Sequence, residues 1–210
     1  MSVISVKTRR TTDQAEFDRN RRSDASVLLT DAKEVSEFSV ELTLGELYDD
    51  EISESRSVMY AIENDALDIR AGSSVVVEVA EYMRVPNNMF GLVMPKGHIF
   101  MEQGILMATA KIEPSYSGRL RVLLHNASRV RRSIPKGSVI ASAVFFRTER
   151  TLEGDALTTR EPVTKKPRGL LKKITSAIVA DPRFVLMFLA TLCSSIIGAS
   201  LTLWFTRKPR

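Results

Sequence analysis

Cysteine is nearly absent from this 210-residue chain: Cys193 stands alone, so no internal disulfide can form. Histidine is almost as scarce, with only His98 and His125. One cysteine and two histidines do not make the four-ligand set of a structural zinc site. No Gly-x-x-x-x-Gly-Lys-Ser/Thr loop and no Gly-x-Ser-x-Gly turn occurs, which removes the P-loop and nucleophile-elbow enzymes. No internal repeat is visible. Residues 1–25 lack a continuous apolar segment and are therefore not a secretory signal peptide. Their charges have both signs (Lys7, Arg9, Arg10, Asp13, Glu16, Asp18, Arg19), which disfavours nucleic acid as a partner. A flexible, frayed or partly helical N-terminal arm is the expectation there.

Apolar residues make up 44% of the chain, enough for a real core. The informative stretch is residues 79–126. Its apolar runs are short and are cut by turn signals: Val85-Pro86-Asn87-Asn88, Pro95-Lys96-Gly97, Gly104, and Pro114-Ser115-Tyr116-Ser117-Gly118. Such punctuation marks consecutive strands joined by tight turns, and no helical period survives across it. A mainly β barrel or sandwich follows. Further strands are expected at residues 27–29, 38–44, 58–62, 67–69, 74–80, 120–124 and 138–146. In the second of these, Val40, Leu42 and Leu44 alternate with Ser39, Glu41 and Thr43, so one face is buried. The loop between the last two strands carries Arg129, Arg131 and Arg132, a cluster read as solvated. The β domain spans residues 26–150.

Beyond it the composition changes. Residues 151–168 are polar and read as a linker. Residues 169–180 place Leu170, Leu171, Ile174, Ile178 and Val179 near helical spacing around Lys172 and Lys173, the pattern of an amphipathic juxtamembrane helix. Residues 184–205 carry no charge over about 22 positions, enough to cross a ~30 Å hydrocarbon core as one transmembrane α-helix. Trp204 sits near its end, and Gly198, Ala199 and Ser200 allow close packing. The net charge of +5 is concentrated beside this segment, where anionic lipid is the expected partner. More cations precede the span than follow it, which sets the β domain on the cytoplasmic side of a C-terminal tail anchor. The expected localisation is thus that of a single-pass membrane protein.

The β segment also resembles a known superfamily. Ser39-Val40-Glu41-Leu42-Thr43-Leu44-Gly45 is similar to the S-x-D-L-x-L-G entry strand of the dCTP deaminase branch of the dUTPase/dCTP deaminase superfamily. Ile134-Pro135-Lys136-Gly137-Ser138-Val139-Ile140-Ala141 is similar to its I-x-x-G-x-x-I-A/G closing segment. The resemblance covers about half the chain and implies a dUTPase-like distorted β-barrel, a homotrimer, and deoxynucleoside triphosphates as ligands. It further implies Mg2+ carried by the triphosphate and a pocket assembled from neighbouring subunits.

Set against that superfamily, Pro95-Lys96-Gly97-His98-Ile99 stands at the phosphate turn, with Lys96 at the arginine position and Gly97 at the serine position. Lysine keeps the charge but not the bidentate fork, and glycine leaves a backbone amide open to an anion. The other reading of Lys96 and His98 is a solvated β-turn, and both stay open. In Lys111-Ile112-Glu113-Pro114-Ser115-Tyr116-Ser117-Gly118, Glu113 stands where the family has its water-activating aspartate, one methylene longer. Tyr116 matches the aromatic that packs on the deoxyribose, or else is a core aromatic after a proline turn. Lys111 lies where deaminases carry a basic residue, and Asn126 ends the following strand as in the dUTPases. Leu123 occupies the position of the deaminase glutamate and cannot move a proton. The expected site is therefore Glu113 as base, with Lys96, Gly97, His98, Lys111, Tyr116 and Asn126 binding substrate and no protein-held metal. Two functions are carried forward: a non-catalytic or weakly active nucleotide-binding trimer, and an active dUTP or dCTP hydrolase.

Overall fold

The structure is a computed structural model that describes residues 2–50, 58–153 and 162–165. In chain order it comprises β1 (Arg10–Thr11), α1 (Gln14–Asn20), β2 (Leu28–Thr30), β3 (Ser39–Asp49), β4 (Val58–Ala61), β5 (Ala66–Ile69) and β6 (Ser74–Arg84). There follow β7 (Met89–Pro95), α2 (Gly97–Gln103), β8 (Ile105–Met107), β9 (Ala110–Ile112), β10 (Ser117–Asn126), β11 (Arg132–Pro135), β12 (Val139–Arg147) and β13 (Val163–Lys165). The mainly β expectation holds.

One long strand organises the rest. The first half of β3 pairs with β12, and β12 pairs with β7, which carries β9 on its far edge. The second half of β3 leaves that layer and pairs with β6 and β4 instead. Gly45 sits at the crossing: a Cβ there would lie 2.6 Å from the carbonyl oxygen of Glu78, so only glycine lets the two backbones meet. On its other edge β6 carries β10, and β10 carries β8. The inward residues of both layers fill one core, with Val40, Leu42, Val77, Val79, Leu124 and Phe145 buried. Glu81 points the same way and is held by the Thr43 backbone N–H at 2.9 Å and the Thr43 hydroxyl at 2.6 Å. A buried carboxylate is tolerable only with such partners.

Three expectations differ from what is observed. First, residues 1–25 are not a free arm. Ile4, Val6 and Phe17 are buried, Ile4 N–H donates to Phe145 O at 3.0 Å, and Asp13 caps α1 through Ala15 N–H. These apolar residues are single and spaced among charges, so no run announces them. Second, the central stretch contains a helix, α2, ended by Gly104 with φ 67°. Seven residues make only two turns, and Ile99 is its one buried side chain, too little for a visible period. Third, the linker region is not wholly unpaired, since β13 runs parallel to β4. Among the described residues no helix is long and apolar enough to cross a membrane. The amphipathic segment at 169–180 and the apolar span at 184–205 lie outside the described residues.

The tip between β6 and β7 ties both ends of the domain together. Asn87 N–H donates to Arg21 O at 3.0 Å and its side-chain amide to Leu152 O at 2.8 Å. The Asn88 amide donates to Ser23 O at 2.9 Å, and Thr148 N–H donates to Asn88 O at 2.9 Å. Two buried asparagines thus fix the connection between β6 and β7, beside the buried Val85 and Met89.

Candidate functional site

The expected site residues fall at the two ends of β7. Register fixes this: Gly91 faces Ile112, which sets Glu113 beside Phe90, while Pro95 at the other end faces Ala141 and leads into Lys96. Lys96 lies six positions beyond Phe90, roughly 20 Å along a strand rising about 3.3 Å per residue. No side chain bridges that gap.

At the first end stand Lys111, Glu113 and Tyr116. Lys111 Nζ lies 3.1 Å from Glu113 Oε2, with side chains 56% and 46% exposed. The same ammonium lies 6.0 Å from the centre of the Phe90 ring, itself stacked on Phe146 at 5.3 Å. Tyr116 is half-buried against the core, and its hydroxyl donates to Arg119 O at 2.9 Å. Of the two readings open in the sequence, this packing is what a core aromatic after a proline turn gives. Between them Ser115 adopts φ 64°, left-handed and uncommon for serine. Its Oγ is buried with no hydrogen-bond partner among the described residues.

At the second end stand Lys96, Gly97 and His98. Gly97 and His98 are exposed, and Lys96 Nζ lies 2.5 Å from Glu41 Oε2. Glu41 was legible as an outward residue of its strand but not as the partner of Lys96. Only the register of β3, β12 and β7 brings them together. Asn126 belongs to this end as well, pairing with Ile105 just past Gly104. Expected as a substrate contact, it is 0% exposed and fully engaged within the chain. Its amide donates to Ile69 O at 2.9 Å and Val130 O at 2.8 Å, and its Oδ1 accepts from Ser128 N–H at 3.0 Å and Ser128 Oγ–H at 2.7 Å. That uses the whole hydrogen-bonding capacity of the side chain. Asn126 braces the 127–131 loop, so its reach to a ligand is indirect.

Leu123 lies on the outward face of β10 and is 37% exposed. It is flanked by Arg121, 3.6 Å from Glu78, and by His125, whose Nδ1 lies 3.0 Å from Ser74 Oγ. Leu123 is thus an apolar side chain partly open at the surface. In the 127–136 region Arg131 pairs with Asp68 at 3.7 Å and Arg132 Nε donates to Ser128 Oγ at 3.3 Å. Among the described residues no group of three or more histidine, cysteine, aspartate or glutamate side chains could hold a metal ion.

Comparison with known proteins agrees with this architecture. The dCTP deaminase from Acinetobacter baumannii (strain AYE) is 25% identical over 92 residues, covering 44% of this chain and 48% of that protein. The chain thus matches about half the length of the curated relatives. The crystal structure of the 2'-deoxycytidine 5'-triphosphate deaminase from Agrobacterium tumefaciens superposes with a TM-score of 0.51 at 16% identity, covering 68% of this chain and 48% of that one. A dUTPase from Streptococcus mutans has a TM-score of 0.43 at 13% identity, covering 60% of this chain and 89% of that one. The profile described as dCTP deaminase-like matches residues 9–148, from the first strand through the last strand of the β3–β12–β7 layer. This chain belongs to the dCTP deaminase-like family.

Proposed function

We propose that the chain is a non-deaminating member of its family that binds deoxynucleoside triphosphates as a homotrimer and is held at a membrane by residues 184–205. The observation that carries the reading is Leu123. Replacing the cytosine 4-amino group by water needs a side chain that takes a proton from the water and gives one to the leaving nitrogen. Leucine does neither, and neighbouring Arg121 and His125 are each engaged with another side chain. The separation of Lys96 from Glu113 along β7 supports a trimer: a ligand touching both motifs must lie between copies of the chain. Lys96 and Gly97 would meet phosphate, Tyr116 the sugar, and magnesium would arrive on the triphosphate, where it neutralises phosphate charge. Asn126 acts as a brace. The anchor reading rests on the uncharged span and its basic flank, with the β domain facing the cytoplasm.

A second reading, an active dUTP or dCTP hydrolase, is favoured by one feature. Glu113 keeps a partly exposed carboxylate oriented by Lys111, as a water-activating base requires.

The full-length chain in detergent or nanodiscs, with magnesium and each deoxynucleoside triphosphate in turn, separates these readings. Calorimetric binding without ammonia or pyrophosphate release is the expected result. Ammonia released from dCTP would sink the non-deaminating reading. Pyrophosphate release that disappears in Glu113→Gln would establish the hydrolase. Absence of binding to every nucleotide would remove both. Light scattering tests the trimer, and flotation with vesicles, with and without residues 184–205, tests the anchor.

A further inference from the structure

Lys96 is already engaged by an anion of its own chain. Its ammonium lies 2.5 Å from Glu41 Oε2, with side chains 31% and 14% exposed. The contact spans three strands: Glu41 on β3 faces Ser142 on β12, and Ser142 faces Met94 on β7. Lys96 therefore reaches across β12 to meet the carboxylate. The other carboxylate oxygen, Oε1, accepts from the Ser39 hydroxyl at 3.3 Å. Glu41 is held from both sides.

We infer that Glu41 is an internal competitor of phosphate at Lys96, lowering the affinity of the site for anions; this rests on the reading of Lys96 as a phosphate ligand. A phosphate approaching Lys96 must either displace the carboxylate or lie beside it. Displacement gives up a close charge contact, and coexistence sets two negative groups within a few ångströms where little water screens them. The Lys111–Glu113 pair is the internal contrast: with both side chains about half exposed, solvent already screens it and little is lost in opening it. Side-chain length matters too, because the extra methylene of glutamate over aspartate extends the carboxylate toward the ammonium.

The test uses the full-length chain in nanodiscs and two probes, inorganic tripolyphosphate and dUTP, titrated calorimetrically at fixed salt. Glu41→Gln should bind both probes about tenfold more tightly than wild type, and the gain should vanish in Glu41→Gln/Lys96→Gln. Glu41→Asp, which keeps the charge but retracts it, should show part of the gain and decides the matter if the glutamine variant does not fold. Equal or weaker binding by both Glu41 variants, in a chain that binds dUTP, overturns the competition and leaves nucleotide binding standing. Tighter tripolyphosphate binding with no nucleotide bound supports the competition and sinks the nucleotide reading. Failure of every variant to bind either probe overturns both.

Discussion

The two ends of β7 carry the same kinds of residue and use them differently. Each has a lysine paired with a glutamate. At the Lys96 end the pair is mostly shielded, and the neighbouring loop is locked by Asn126 and by the left-handed Gly104, whose Cβ would lie 3.2 Å from Ser128. At the Glu113 end the pair is open to solvent, and the adjoining turn contains a left-handed serine whose buried hydroxyl has no hydrogen-bond partner among the described residues. At one end a fully buried asparagine spends its whole hydrogen-bonding capacity on the neighbouring loop, and the shielded Glu41 Oε2 is met by the Lys96 ammonium. The other is held by Tyr116 and its bond to Arg119, with local cost left in place. Charge pairs alone would not reveal this contrast; burial and hydrogen-bond completion do.

Four substitutions test how far the contrast goes. The largest effect belongs to Asn126→Ala, which removes a fully buried side chain and its four hydrogen bonds, one of them to the carbonyl of buried Ile69, and should cost about 3 kcal/mol in urea unfolding. A loss under about 1 kcal/mol would mean the rigid end is not held as described. At the other end Ser115→Gly should stabilise the domain by about 1 kcal/mol, seen as a raised melting temperature. It relieves a left-handed serine and removes an orphan hydroxyl. Lys111→Ala should change stability by less than about 0.5 kcal/mol, as expected of an exposed pair; a larger loss would erase the distinction between the two ends. The smallest effect concerns Lys136 and Asp65, 2.8 Å apart at the surface. The lysine's hydrogen bond and charge hold the Asp65 carboxyl below its usual value, and the Asp65 hydrogen bond raises Lys136. Asp65 thus stabilises above the ordinary carboxyl value of 3.8 and loses its contribution as pH falls through its lowered value. Lys136 contributes below 10.5 and loses its share as pH rises through its raised value. Lys136→Met should therefore show a small, flat loss between these limits that shrinks in acid and in strong base.

Much of the β domain was legible because its strands alternate. Val40, Leu42 and Leu44 are buried as read, and the valine-rich run near residue 75 is a strand with Val75, Val77 and Val79 inside. Of the turn signals in the central stretch, Asn87-Asn88 and Pro114-Ser115 are turns, whereas Lys96 and Gly104 bound the helix α2. What stayed hidden has a common cause. The short α2, the single buried residues Ile4, Val6 and Phe17, and the three-residue β13 are stabilised by tertiary contact, not by local pattern. The site residues were legible by type, but their grouping was not. Asn126 as a brace and Glu41 as the partner of Lys96 both follow from strand register across distant segments, which no local spacing encodes.

The placement of β6 has a further consequence, for synthesis. Among the described residues its partners are β2, β3 and β10, while the elements before and after it in the chain, β5 and β7, pair elsewhere. β2 and β3 precede it and can be waiting when it emerges, but β10 is completed 42 residues later, at Asn126. A ribosome moving at about 5–20 residues per second leaves one edge of this valine-rich strand bare for about 2–8 s. An open strand edge is a template for pairing with other chains, so this edge is the place where a nascent chain is most exposed to mispairing until β10 arrives.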